Sequence, residues 1–174
     1  WLPTQDREDM LAKDASGDPI RYSNDYGFYG VLDQSIYRER GGDDQGLGIF
    51  LQFGGTPDDR NTVDYYFGAG LNYRGLFPKR DQDIFGIAAA NAFISERLQR
   101  ARDLEIRAFD PEDPESGESP GELQSQESVL EMTYRIELHE RLALQPDYQI
   151  VFNSGGEENV KTAHVFILRF EITF

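Results

Sequence analysis

Every second residue from Leu130 to Leu138 is apolar: Leu130, Met132, Tyr134, Ile136 and Leu138 form one row, and Glu131, Thr133, Arg135 and Glu137 form the other. Side chains alternate across a β-strand, so a period of two marks a sheet whose faces meet different surroundings. The same beat runs through 64–74, where Tyr65, Phe67, Ala69, Leu71 and Tyr73 oppose Tyr66, Gly68, Gly70, Asn72 and Arg74. It returns at the C-terminal end, where Phe166, Leu168, Phe170, Ile172 and Phe174 face away from Arg169, Glu171 and Thr173.

Four further segments, 26–38, 46–54, 83–97 and 142–153, keep the pattern less cleanly. Ala88, Ala89 and Ala90 favour helix by propensity. Their neighbours Phe85, Ile87 and Phe93 hold the two-residue beat, so the segment is read as a strand. About seven strands result, most near the nine to eleven residues that a tilted strand needs to cross a bilayer. Mean hydropathy is −0.60, and no run approaches the roughly eighteen apolar residues of a spanning helix. A membrane β-barrel is compatible with that value, because only alternate residues of its strands meet lipid.

The connectors fall into two kinds. Those at 38–45, 75–82 and 139–142 are short or compact, whereas 55–63, 98–127 and 154–162 are more polar. With Phe174 at the periplasmic face, the two kinds sort to opposite sides without exception, as in outer-membrane barrels. The expected organisation is therefore one barrel segment over 1–174. Residues 1–24 form an outer loop, strands fill 25–174, and a long acidic outer loop covers 98–127. Within that loop, Asp110 to Pro120 is too polar and proline-broken for regular structure.

A soluble β-sandwich also alternates, and is the main competing fold. The placement of Tyr65 and Tyr73 near opposite ends of one strand, where aromatic girdles lie, favours the barrel. The formal net charge of −15 argues against nucleic acid, which needs clustered Lys and Arg. There is no cysteine, hence no disulfide or thiol nucleophile. No phosphate loop or nucleophile elbow is present, and His139 and His164 lack metal-ligand spacing. Catalytic, metal and cofactor sites are therefore not expected. The acidic run near 110–118 lacks an ordered Ca²⁺ ligand pattern, so simple solvation is the preferred reading.

The terminal strand, closing on Phe170, Ile172 and Phe174, resembles the signal by which the barrel-assembly machinery recognises bacterial outer-membrane proteins. Further blocks are Gly46-Leu47-Gly48-Ile49-Phe50, Thr56-Pro57-Asp58-Asp59-Arg60-Asn61, Gly68 through Arg80, Asp83-Ile84-Phe85-Gly86-Ile87, Glu127 through Tyr134 and Leu144 through Asn153. In order and spacing these resemble the OprB family of carbohydrate-selective porins, from about Tyr26 to Phe174. The resemblance implies an all-β, transmembrane antiparallel barrel of about sixteen strands in the outer membrane, surrounded by lipid and passing small sugars. The strands present would be the C-terminal part, with the N-terminal half of the barrel as their partner. A homotrimer stays open as an assembly. A general-diffusion or structural barrel without sugar selectivity is the alternative.

On the face read as lumen, Arg135 and Arg169 could donate paired hydrogen bonds to sugar hydroxyls, while Glu131, Glu137, Glu171 and Asp33 could accept them. Tyr29, Tyr37 and Tyr66 are read as inward stacking surfaces. The competing reading is that these charges pair across adjacent strands. Gly48, Gly54, Gly68, Gly70, Gly86, Ala88, Ala90 and Ala92 fall on the same face. They are expected either to admit a constriction loop or to relieve strain from twist.

Overall fold

The computed structural model describes residues 24–41, 44–108, 121–157 and 159–174. Apart from Asn24, the outer loop expected at 1–24 lies outside the described residues, as does the acidic run 110–120. The described residues contain seven strands: β1 (Phe28–Arg38), β2 (Gly46–Gly55), β3 (Val63–Arg74), β4 (Ile84–Ile94), β5 (Gln126–His139), β6 (Leu142–Phe152) and β7 (Ala163–Ile172). They form a single sheet in chain order, each strand antiparallel to the next. Phe174 lies just beyond β7, so the terminal row outruns the paired strand by two residues.

The connectors 39–45, 75–83 and 140–141 share one end of this meander, and 56–62, 95–125 and 153–162 share the other. The acidic connector begins with an element the alternation did not suggest, α1 (Glu96–Ala108). Its sequence is rich in Leu, Arg, Gln and Glu, all good helix formers. Ser95 caps it: the Leu98 N–H points at Ser95 Oγ at 3.4 Å, and Ser95 is fully buried. Glu96 and Arg100 then pair one turn apart. That is also why β4 stops at Ile94, short of the expected 97. At the same end, Arg60 grips Asp59 through Nε at 2.8 Å and Nη2 at 2.9 Å, and donates from Nη1 to the Asn24 carbonyl at 2.6 Å. The hydrogen bonds from Arg60 to Asp59 hold that carboxyl below its usual pKa. The bond to Asn24 fastens the chain entering β1 to the β2–β3 loop.

Among the described residues only Ile94 and Ala143 are buried apolar side chains. A sandwich would bury one whole face; this sheet buries neither. Its apolar row stays exposed even on interior strands, with Phe67 at 47%, Met132 at 47% and Leu130 at 40%. A continuous apolar surface of this kind needs a non-aqueous neighbour, such as the lipid that meets the outer face of a membrane β-barrel.

Register decides which side chains share a face. Pairing shifts by one residue between Ser35 and Tyr37. Beyond that bulge Tyr37 stands opposite Leu47, itself opposite Tyr73 of the outward row. Tyr37 therefore belongs to the outer face, contrary to the inward placement expected from strict alternation. By the same shift Arg38, opposite Gly46, joins the inner face.

Candidate functional site on the inner face of the sheet

The inner residues fall into cross-strand rows. Nearest the long-loop end, Tyr29, Gly54, Tyr66, Ala92 and Glu127 stand side by side. Tyr29 and Tyr66 thus flank a glycine, about 10 Å apart at the backbone from the ordinary strand spacing. Both are exposed. A lower row runs Asp33, Phe50, Gly70, Ala88, Glu131 and Gln149. Asp33 and Glu131 share it but are four strands apart.

Towards the turn end comes a row the sequence reading missed. Arg38, Gly46, Arg74, Ile84 and Arg135 are successive partners. The flanking pairs Thr133↔Asp147 and Ile136↔Leu144 put Gln145 opposite Arg135, and Gln145 pairs with Arg169. Arginine thus occupies every odd-numbered strand of one row. Arg135 and Arg169 were legible from their own strands, and Arg74 lay on the polar side of its strand. Aligning all four needed the pairing register, and Arg38 needed the bulge.

On β5–β7 the charges are engaged with one another. Arg135 directs Nη2 (3.1 Å) and Nε (3.3 Å) at Glu171 and Nη1 (3.5 Å) at Glu137. Arg169 Nη2 lies 3.1 Å from Asp147 Oδ2 as an ion pair without hydrogen-bond alignment. Gln145 donates to Thr133 Oγ1 at 2.8 Å and to Asp147 Oδ1 at 3.1 Å, and Gln149 donates to Glu131 at 2.7 Å. Cross-strand pairing is therefore the state of these side chains. Within this sheet Arg169 meets one carboxylate, and its side chain is 55% exposed.

On β2–β4 the small residues are covered by their own neighbours. A Cβ on Gly70 would lie 2.4 Å from the Phe50 ring, and one on Gly86 would lie 2.9 Å from Thr133 Cγ2. The Tyr66 hydroxyl stands 3.0 Å from the same position on Gly68. A hollow of about 340 Å³ remains, lined by Gln52, Tyr66, Gly68, Gly86, Ala88 and Glu131 among others.

At the turn end β4 and β5 are tied together through Asp83. This buried carboxylate accepts from the Tyr134 hydroxyl at 2.7 Å, Arg80 Nε at 2.7 Å and the Glu137 backbone N–H at 2.9 Å. Burial raises its pKa, but the three donors outweigh it and the net shift is downward. Phe170 and Ile172 lie in β7 and Phe174 just past it, all three exposed. His139 closes β5 at the turn end, while His164 sits near the start of β7 at the long-loop end, 2.6 Å from the Tyr148 hydroxyl.

An antiparallel meander with an exposed apolar outer face and a hydrogen-bonded polar inner face is the wall of an outer-membrane β-barrel. Residues 3–174 match the model of the carbohydrate-selective porins, OprB family, and the chain belongs to that family, in the Gram-negative outer membrane. Porin B of Pseudomonas aeruginosa is 24% identical over 151 residues, covering 86% of this chain and 33% of that protein. The putative porin QuiX of Acinetobacter baylyi is 27% identical over 135 residues, covering 73% of this chain and 30% of that one. The high-pH structure of Pseudomonas putida OprB superposes with a TM-score of 0.83 at 25% identity, covering 94% of this chain and 41% of that one. The chain thus spans about a third of the length of the curated relatives it matches. The family is one of channels rather than enzymes.

Proposed function

We propose that the full-length protein carrying this sequence is a channel through which small sugars diffuse passively, and that it catalyses no reaction. The observation that supports this most directly is the β5–β7 inner wall, where guanidinium, carboxylate and carboxamide groups are held in mutual hydrogen bonds. Such a wall presents donors and acceptors at fixed positions, and both of its guanidiniums already face carboxylates. A sugar can exchange its water for these groups one contact at a time, binding strongly enough to load and weakly enough to leave. Arg135 and Arg169 would donate to hydroxyls, and Glu131, Glu137, Glu171 and Asp33 would accept from them. Tyr29 and Tyr66, flanking Gly54 near the outer mouth, would offer ring faces to the apolar side of a pyranose.

The remaining strands of the barrel, from the N-terminal half, would pair with the free edges of β1 and β7. Phe170, Ile172 and Phe174 would present the recognition signal to the barrel-assembly machinery. A homotrimer is the assembly to test by native mass measurement in detergent. The reading is checked by single-channel recording of the full-length protein in a planar bilayer while a neutral hexose is titrated. Saturable dimming of the conductance steps is expected. Conductance indifferent to sugar would leave a general-diffusion or structural barrel instead.

A further inference from the structure

Of the three connectors at the turn end, only 75–83 carries large apolar side chains. Residues 39–45 read Glu-Arg-Gly-Gly-Asp-Asp-Gln and 140–141 read Glu-Arg, whereas Leu76 and Phe77 begin the β3–β4 turn. Both are exposed.

The outer face fixes their level. Tyr37, Leu47, Tyr73, Phe85 and Tyr134 are successive cross-strand partners, an aromatic-rich row on the outward side at the turn end of the sheet. Tyr and Phe at such a level mark where the hydrocarbon of a bilayer gives way to headgroups. A connector that simply continued β3 would leave the membrane there. This one bends back. Gly75 takes φ +76°, and the Phe77 ring meets the Tyr134 ring edge to face with centroids 5.6 Å apart. The turn thus leans outward across β4 to the lipid-facing side of β5.

Its tip is closed by the Arg80 N–H, which donates to the Phe77 carbonyl at 3.0 Å, with Pro78 and Lys79 at the two corners. Lys79 adopts φ +67°, as the second corner of a type II turn requires, where glycine or asparagine is favoured. Behind the tip Arg80 and Asp83 hold one another. The charges left at the tip are Lys79 and Asp81, both exposed.

We infer that the β3–β4 turn is an anchor in the periplasmic leaflet of the membrane, with Leu76 and Phe77 in the boundary between acyl chains and headgroups and the Lys79 ammonium on lipid phosphates. The partner is the phospholipid surface itself. Two exposed apolar side chains continue the lipid-facing surface past its aromatic row, and a cation follows at headgroup depth, in the order in which an interface presents those surroundings. The anchor belongs to the outer face, so it stands whether or not the lumen passes sugars.

The test uses the full-length protein in vesicles of phosphatidylcholine and phosphatidylglycerol. Nitroxide labels on single cysteines, Leu76→Cys and, in the neighbouring turn, Glu140→Cys, are compared for collision with oxygen, which concentrates in the bilayer, and with a nickel chelate, which stays in water. The label at 76 should favour oxygen severalfold more than the label at 140. Equal ratios at the two sites would overturn the anchor. The second arm is urea unfolding in the same vesicles and in a nonionic detergent that lacks phosphate. Lys79→Gln removes the charge and keeps a side chain on the same backbone. It should raise the unfolding constant about threefold in vesicles, because Asp81 offsets part of the pull on a lone cation, and leave it unchanged in detergent. High salt should erase the effect in vesicles. A Lys79→Gln effect of equal size in detergent and vesicles, or no effect in either, would also overturn the anchor.

Discussion

The inner faces of β2–β4 and β5–β7 solve the same problem in opposite ways. In the proposed channel, both would present a surface that water and solute can pass. On β2–β4 many of the residues are glycine and alanine, and the room above three of the glycines is taken by the Phe50 ring, the Tyr66 hydroxyl and the Thr133 methyl. A large ring lying over a glycine shields the backbone and fills the gap that the missing side chain leaves. On β5–β7 long charged side chains stand on the strands themselves, and both arginines pair with carboxylates. The first wall is shaped by steric fit and the second by electrostatic pairing. Substitutions should therefore fail by different mechanisms on the two sides.

The largest effect is expected at the seam between β4 and β5. Asp83→Ala would strand the Tyr134 hydroxyl, Arg80 and the Glu137 N–H, each bonded to that carboxylate. At 1–3 kcal/mol for each poorly compensated group, and with water reaching Arg80, a loss of about 3 kcal/mol should appear in urea unfolding of the full-length protein in liposomes. The pH dependence has a definite sign. Asp83 titrates below its ordinary value in the folded chain, so its contribution is complete above about pH 4 and is lost as pH falls through the lowered pKa. Wild type should therefore lose stability below pH 4 relative to Asp83→Asn, which lacks the titrating carboxyl. Parallel pH curves for the two proteins would remove the seam from the account.

Next in size is the steric wall. Gly70→Leu puts a Cβ within 2.4 Å of the Phe50 ring and 2.8 Å of the Ile87 carbonyl. The ring can rotate away, but the carbonyl belongs to the sheet. Overpacking of this kind costs about 2 kcal/mol. Gly54→Ala, whose nearest atom would be the Phe28 carbonyl at 3.2 Å, should cost well under half of that in the same assay. Equal effects at the two glycines would mean that close packing is not what these positions are selected for.

The outer face was legible because every strand carries its own alternation. Even Ala88–Ala90 was recoverable as strand from its neighbours, although alanine favours helix. What could not be read strand by strand is whatever depends on pairing. Ser35-Ile36-Tyr37 gives no sign of a bulge, yet the shift there exchanges the faces of Tyr37 and Arg38. A single extra residue concealed the arginine row. The helix at Glu96–Ala108 was hidden differently. It opens a connector whose later acidic, proline-rich stretch dominated the composition, and its signals, Ser95 as cap and a run of good helix formers, are local ones. The partners of Arg135 and Arg169 were nameable by residue type, but which carboxylate each takes is a matter of row and reach.

On the electrostatic wall, Arg169→Gln should matter more than its exposure suggests. Its partner Asp147 has no exposed side-chain surface, so the substitution leaves a shielded carboxylate with only Gln145 Nε2 as a donor. Loss of a fully buried partner costs 3–5 kcal/mol, and a half-exposed arginine scales that down to about 1–2 kcal/mol. Replacing both members, as Arg169→Gln with Asp147→Asn, should recover most of the loss. A double substitution as unstable as the single one would show that packing, rather than charge balance, holds this rung.

The smallest stability effect, and the sharpest test of the contrast between the walls, is Arg135→Gln. All the groups involved reach solvent: Arg135 and Glu137 are 27% exposed and Glu171 is 60% exposed. Screening then limits the loss to under about 1 kcal/mol. Conductance should respond more than stability, because Glu137 and Glu171 lose their shared cation and leave two uncompensated carboxylates on one row. The reversal potential under a salt gradient should shift towards cation selectivity, most strongly at low ionic strength where the Debye length is long. No substitution among Gly68, Gly70 and Gly86 should move it, since none of them alters charge. An unchanged reversal potential in Arg135→Gln would mean that the β5–β7 charges do not line the conducting path, and the distinction between a steric and an electrostatic wall would lose its functional meaning.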